Sequence, residues 1–521
     1  MVIYMDFLRA VDKAVLEGNS PILLRGFGLG GWFLPEGYMW KLYKKCDRPR
    51  RMEAVLEKLC GRTYAEAFWK HYLDSYITEE DIKLIAEEGF NSVRLPLNAR
   101  HLYKIHNSEL VLNSEMISRI DRLIDWCSRY QVYVILDMHG APGGQTGQNI
   151  DDSEEDKPLL FLEEHYTEEL TLLWQQLALH YRDNKTVAGY DLLNEPLPNW
   201  SSQYNHQVLP LYRNLIRAIR EADKNHMIIL EGVHWATDFS IFDTFTKEEA
   251  ADNIMLQFHK YWNNPDAESI HTFIKWSERL KVPLFMGEGG ENNCDWYTTA
   301  FPLYEQLNIG WSFWSYKKMD CTNSPVTFQV PEGWDKLIGW LDGEAELTQE
   351  RAIAIFDSFL NSIQNSRINE AVFHALKREV PVRIPCEAYQ EYEIHSGRIP
   401  GAALRLEDPV SLIIESGRTG EVDYGRHSEE APPEDQNILV HLFAGDRVGY
   451  LFRSGQESVN IQIRAEGDGE LLIATELEER SFSVSERNEY KTTLKSRKDK
   501  KQSLWLTCSA GSIKADDIYL N

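Results

Sequence analysis

Through the first 380 or so residues, short apolar runs alternate with longer amphipathic stretches. Eight of the runs read as buried strands: Ile22–Phe27, Asn91–Leu97, Val132–Met138, Val187–Leu193, His226–Gly232, Asn253–Phe258, Val282–Glu288 and Ile309–Trp314. Between most of them apolar residues recur at helical spacing, as in ISRIDRLIDWCSRY and LYRNLIRAIREADKN. Eight β-then-α units in series predict an α/β fold, a closed (β/α)8 TIM barrel, with an open doubly wound sheet as the alternative. Two long stretches leave the carboxyl ends of strands, where barrel enzymes build their sites: Pro35 to about Asp81, and the Gly- and Asp-rich loop after the third strand. Loops of that length there favour a walled pocket over an open groove.

After about residue 382 the pattern changes to short alternating runs (NILVHLF, RVGYLF, VNIQIRA, ELLIATE, LWLTC) separated by Gly, Asp, Ser and Asn. This predicts a smaller all-β sandwich, jelly-roll-like, reached through an extended PVRIP linker. The expected domains are therefore 1–381, a catalytic barrel with long loop insertions, and 382–521, an accessory sandwich. Fourteen of the 15 Trp fall in the first and only Trp505 in the second. The segment before Pro21 reads as an amphipathic helix ending at Gly18, without the pattern of a secretory signal.

Composition narrows the function classes. With 55 basic and 81 acidic residues the formal charge is −26, which repels nucleic acid and anionic membrane surfaces. No run approaches the roughly 18 apolar residues needed to span a bilayer. Seven widely spaced Cys with no CxxC pair argue against a disulfide framework or a zinc ribbon, and suggest reduced thiols in a cytoplasm. Oligomeric state is left open.

The candidate chemistry lies at the strand ends. Asn194-Glu195-Pro196 follows the fourth run and Gly287-Glu288-Gly289 ends the seventh. Apolar strands that finish in a carboxylate call for a reason, because burying an unpaired charge is costly. Pro196 is expected to hold Glu195 extended. Arg94 sits inside the second run, His139 follows the third, His259 and Tyr261 follow the sixth, and Trp314 closes the eighth. Gly26 to Gly31 fits GxGxxG, but Trp32-Phe33-Leu34-Pro35 opens no helix, so a dinucleotide site is not expected. No HExxH or GxSxG occurs, and neither a metal nor any cofactor is expected.

Taken in chain order, Arg94, His139, Asn194 with Glu195, His259 with Tyr261, Glu288 and Trp314 resemble glycoside hydrolase family 5. DMHGAPGGQTGQNID and Gly30–Trp32 look most like its exo-β-1,3-glucanase and β-glucosidase branch. The resemblance implies a retaining β-glycosidase acting on a β-linked oligosaccharide or glycoside. Glu195 would be the acid/base and Glu288 the nucleophile, which Arg94 would keep ionised. Asn194 would bond the sugar 2-hydroxyl, Tyr261 would sit beside the nucleophile, and His139 and His259 would position hydroxyls and the acid/base. Trp314 would be the floor under the sugar, and Trp32, Trp262 and Trp296 are further candidate sugar platforms, each of which could equally be core. An endo-β-glucanase or mannanase with an open cleft, and a barrel that binds carbohydrate without cleaving it, are the alternatives. The C-terminal part weakly resembles carbohydrate-binding modules, in which Glu387 and Asp517 would meet at a structural calcium.

Overall fold

A computed structural model describes residues 5–107, 109–425 and 432–521. Eight parallel strands close into a barrel: β1 (Arg25–Gly28), β2 (Ser92–Asn98), β3 (Tyr133–Gly140), β4 (Val187–Asp191), β5 (Met227–Glu231), β6 (Ile254–His259), β7 (Leu284–Gly290) and β8 (Gly310–Trp314). The barrel runs in chain order, with β8 beside β1. Nearly every strand residue is buried on both faces, which is why the runs are continuously apolar rather than alternating. The stretch between β1 and β2 supplies helices α1 (Pro49–Cys60) and α2 (Arg62–Ser75).

The N-terminal segment is not a helix. Leu8–Val11 pairs antiparallel with Ala14–Glu17, and Leu16–Glu17 pairs onward with Ser20–Pro21. The chain turns at Asp12 and Gly18, both in the left-handed region at φ +51° and +60°. Leu8 and Val15 pack against Leu24, Tyr133, Met227 and Met255 near the amino ends of the barrel strands. Asn253 ties this hairpin down, accepting from the Ala10 amide at 2.6 Å. Residues before Met5 lie outside the described region, so the helix expectation is corrected for the described part.

By contacts the chain forms two compact units. The first comprises the chain to Lys260 with Phe273–Gly289 and Asn308–Ile368; the second comprises Tyr261–Thr272, Gly290–Leu307 and Asn369–Asn521. The second is rich in antiparallel sheet, and PVRIP is part of it: Val382–Pro385 pairs with the last strand and is not a free linker. VNIQIRA and ELLIATE are halves of one strand, Ser458–Ala474, and LWLTC begins another, Lys501–Leu520. The intervening glycines do not turn the chain. A side chain on Gly467 or Gly511 would collide with the backbone of the facing strand, 2.3 Å from the Ser512 oxygen and 2.0 Å from the Asp468 oxygen. Of the two acids expected to meet at a calcium, Asp517 is already paired with arginines: Arg383 donates to it at 2.9 Å, and Arg464 stands 3.6 Å away. Glu387 accepts from Tyr424. The seven cysteines are free thiols. No helix among the described residues is long and apolar enough to cross a membrane.

Candidate active site

One guanidinium organises the carboxyl-end mouth of the barrel. Arg94 is fully buried. It donates to Glu288 Oε1 at 2.6 Å, to Asp191 Oδ2 at 2.9 Å, to Asn194 Oδ1 at 2.7 Å and to Glu231 Oε1 at 3.1 Å, and it pairs with Asp137 at 3.1 Å. Burial alone would lower its pKa, but the four surrounding carboxylates outweigh that and raise it well above the usual value. The layer is continuous across strands, because Asp137 lies opposite Asp191, Glu231 opposite Gln257 and His259 opposite Glu288 in the ladders. Gln257 knits it further, donating to Asp191 at 2.8 Å and to Glu231.

Two histidines complete the charge balance. His139 Nδ1 lies 2.8 Å from Asp137 Oδ2 and 3.9 Å from Glu288. Burial opposes its protonation, yet Asp137 and then Glu288 raise its pKa to about 9. His259 presents Nδ1 to Glu195 Oε1 at 2.7 Å and Nε2 to Glu231 Oε1 at 3.4 Å. Here too burial is outweighed, by Glu231 and Glu288, and the pKa stands well above its ordinary value. Glu195, His259 and Glu288 each bring one polar atom within 4.8 Å of the others. The three side chains are already engaged with one another and with the cluster, His259 by Glu195 and Glu231, and Glu288 by Arg94.

Glu195 departs from the extended backbone expected before a proline. Its φ is +44°, in the left-handed region, and Leu197 follows at +58°. Such conformations cost about 1–2 kcal/mol for residues with a side chain and persist only where the surroundings enforce them. Glu231 does so, since its Oε2 accepts the Glu195 amide at 2.7 Å. Asn194 is fully buried, and its Nδ2 has no hydrogen-bond partner among the described residues although its Oδ1 is held by Arg94. A buried donor left unpaired costs roughly 1–3 kcal/mol, and a bound hydroxyl would satisfy it.

Trp314 stacks on His139, centroids 5.2 Å apart and planes at 9°, and donates to the Tyr38 hydroxyl at 3.0 Å. This packing explains one glycine of the stretch that mimics a dinucleotide fingerprint, Gly28, and its neighbour Gly30. A Cβ on Gly28 or Gly30 would lie 2.6 or 2.8 Å from the Trp314 ring. Two of the candidate platforms are corrected. Trp32 and Trp296 are fully buried, their indole nitrogens donating to the Leu73 and Asn263 carbonyls, so neither has a face for a sugar. Trp262 is 52% exposed. Tyr261 lies beside Trp262, and its carbonyl accepts from Asn292. The sequence reading misses Asp137, Asp191, Glu231 and Gln257, although each is a polar residue inside an apolar run, the signal that singles out Arg94.

The network predicts how stability depends on pH. Burial, reinforced by Glu231, pushes Asp191 from 3.8 up to about 7. The folded state thus binds a proton there that the unfolded chain has lost, and stability falls as pH rises across that interval. His139 shifts from 6.5 to about 9. Its contribution is complete below 6.5 and is lost as pH rises through 9. Melting temperature is therefore expected to decline between pH 6.5 and 9, and His139→Asn should flatten that limb. A wild-type melting temperature that holds or climbs over this range would contradict the assignment.

Residues 59–320 match the family model "Cellulase (glycosyl hydrolase family 5)". A β-xylosidase of Phanerodontia chrysosporium is 34% identical over 253 residues, covering 49% of this chain and 50% of that protein. The chain thus spans about half the length of that relative. Endoglucanase C of Acetivibrio thermocellus is 25% identical over 316 residues, covering 49% of this chain and 88% of the relative. A probable glucan 1,3-β-glucosidase A of Emericella nidulans is 28% identical over 242 residues, covering 46% and 57%. With half its length matching the family model and a closed eight-stranded barrel, the chain belongs to glycosyl hydrolase family 5.

Proposed function

We propose that this chain is a retaining exo-β-glycosidase that removes a terminal sugar, glucose foremost, from β-glucosides and β-gluco-oligosaccharides. The spacing of the carboxyl groups supports a covalent route: one oxygen each of Glu195 and Glu288 lie within 4.8 Å, near the roughly 5 Å separation of retaining enzymes. Glu288, held by Arg94, attacks the anomeric carbon. The bond to the leaving oxygen breaks with its electron pair, and Glu195 supplies the proton. Water then gives a proton to Glu195 and attacks the same carbon, which releases Glu288. His259 touches Glu195 and stands 3.7 Å from Glu288, so one imidazole is placed against both carboxyl groups as their charges exchange. The unpaired Asn194 amide suits a sugar hydroxyl, while Trp314, 3% exposed and stacked on His139, leaves little of its ring for one.

The exo reading is carried by one observation, the clasp between the insertion after β1 and the loop after β3. Buried Asp151 folds that loop by accepting from Thr146, Gly147 and Ser153. Asp152 then takes the Arg50 amide and the Asn98 and Arg100 side chains. Arg48 and Arg51 both pair with Asp156, and Asn149 donates to Glu36. Two loops bound together at the strand ends favour a closed pocket that admits a chain end. Deleting Gly143–Lys157 is expected to convert release of a single terminal sugar into a mixture of products, read by chromatography. A wild type that already gives a ladder of longer products would favour the endo reading, which relatives named endoglucanase support. The free thiols suit a reducing compartment such as the cytoplasm.

A further inference from the structure

Gln145 lies in the loop after β3, outside the carboxylate cluster, and is fully buried. A buried amide side chain has to satisfy its donors and its acceptor, and this one spends them all on backbone. Its Oε1 accepts the Ala141 amide at 3.0 Å, which ties the side chain to its own loop. Its Nε2 donates to the His139 carbonyl at 2.7 Å and to the Asn194 carbonyl at 2.9 Å. These partners fix which way the amide points, because the flipped group would set its oxygen against two carbonyls.

The loop holds Gln145 from both directions along the chain. Before it, the Gly144 amide closes a turn on the Ala141 carbonyl at 2.9 Å, and the Gly144 carbonyl accepts from the Leu160 amide at 3.1 Å. After it, the Thr146 hydroxyl donates to buried Asp151 at 2.7 Å. Asp152, next to that acid, accepts the Arg50 amide and so fastens the loop to the insertion after β1. The side chain therefore reaches across to the strand ends from a fixed base.

The Asn194 carbonyl and the Glu195 amide are the two ends of one peptide unit. Gln145 holds the oxygen end, and Glu231 holds the nitrogen end through Oε2 at 2.7 Å. A planar unit clamped at both ends resists rotation. Glu195 leaves it at φ +44°, with its carboxyl 2.7 Å from His259. The same amide fixes the backbone of His139, the ring stacked on Trp314. We propose that Gln145 is a positioning residue for the acid/base, setting the direction of the Glu195 carboxyl through the Asn194–Glu195 peptide. This rests on reading Glu195 as the acid/base. The loop that narrows the barrel mouth thereby also supports proton transfer, so deleting Gly143–Lys157 should slow cleavage of poor leaving groups as well as change the products.

Leaving-group dependence separates positioning of a proton donor from general damage. The wild type, Gln145→Met and Glu195→Ala would be compared by kcat/KM on two substrates. Phenyl β-glucoside has a leaving group that needs a proton, whereas that of 2,4-dinitrophenyl β-glucoside departs unaided. Gln145→Met, of similar length without a donor, is expected to lose about 10–100-fold on the first, the scale of a displacement of about 1 Å. On the second it should lose no more than about threefold. The ratio of the two values is independent of how much protein is folded. Gln145→Glu keeps the shape but turns acceptors toward both carbonyls, so it should show the same ratio and replaces Gln145→Met should that variant not fold. Equal losses on both substrates, or none on either, would overturn the proposal, and failure of both variants to fold would do so by marking Gln145 as structural. A Glu195→Ala variant that loses equally on both substrates would overturn the reading of Glu195 first, and the role of Gln145 with it.

Discussion

Glu288→Ala is expected to slow hydrolysis on the order of 10⁴-fold or more, as removal of a covalent nucleophile does. Arg94 has its shortest contact with Glu288, so truncation removes the attacking atom and leaves the guanidinium with Asp137, Asp191 and Glu231. The vacated space lies beneath the anomeric carbon. Azide added to the variant should enter there and attack in place of the carboxylate. A single displacement inverts the centre, so the product from a β-glycoside should be the α-glycosyl azide. A variant that keeps more than a few per cent of wild-type kcat on a substrate with a poor leaving group would show that another residue attacks.

Glu195→Ala should behave differently, and the contrast is diagnostic. Losing the proton donor should cost on the order of 10²–10⁴-fold with an alkyl or sugar leaving group. Aryl glycosides with acidic phenols leave without assistance, so their first step should be nearly spared and the glycosyl-enzyme should accumulate. Azide should then intercept that intermediate from the face Glu195 served and give the β-glycosyl azide. The two variants thus predict azides of opposite configuration, read by proton NMR coupling at the anomeric position. The same configuration from both would mean that the two carboxyl groups do not hold opposite faces of the sugar.

The barrel is legible in the sequence because its strands are buried on both faces, and a short apolar run bounded by helical periodicity has few other readings. Arg94, Glu195 and Glu288 are legible for the complementary reason, that charge in an apolar setting needs a partner. The partners are harder to find. Asp137, Asp191 and Glu231 carry the same signal, but that they share one guanidinium is a property of barrel closure, which brings together residues 94, 137, 191, 231 and 288. The N-terminal hairpin escapes because strands of four residues are too short to separate period 2 from period 3.6. The paired runs of the second unit are single long strands, since glycine marks close approach there as readily as a turn. Residue type alone does not separate Trp32 and Trp296, fully buried, from Trp262, half exposed. Glu195 shows that a local rule yields to tertiary structure, because Glu231 holds it in a conformation the following proline disfavours.

The central claim is that Glu288 bonds covalently to the sugar. The most direct test is to treat the protein with a 2-deoxy-2-fluoro-β-glycosyl fluoride, weigh it intact, and map the modified peptide. The account predicts a gain of one fluorosugar per chain, located on Glu288 and lost on prolonged incubation as activity returns. Hydrolysis of the parent glycoside with no adduct, or an adduct on any other residue, would contradict it.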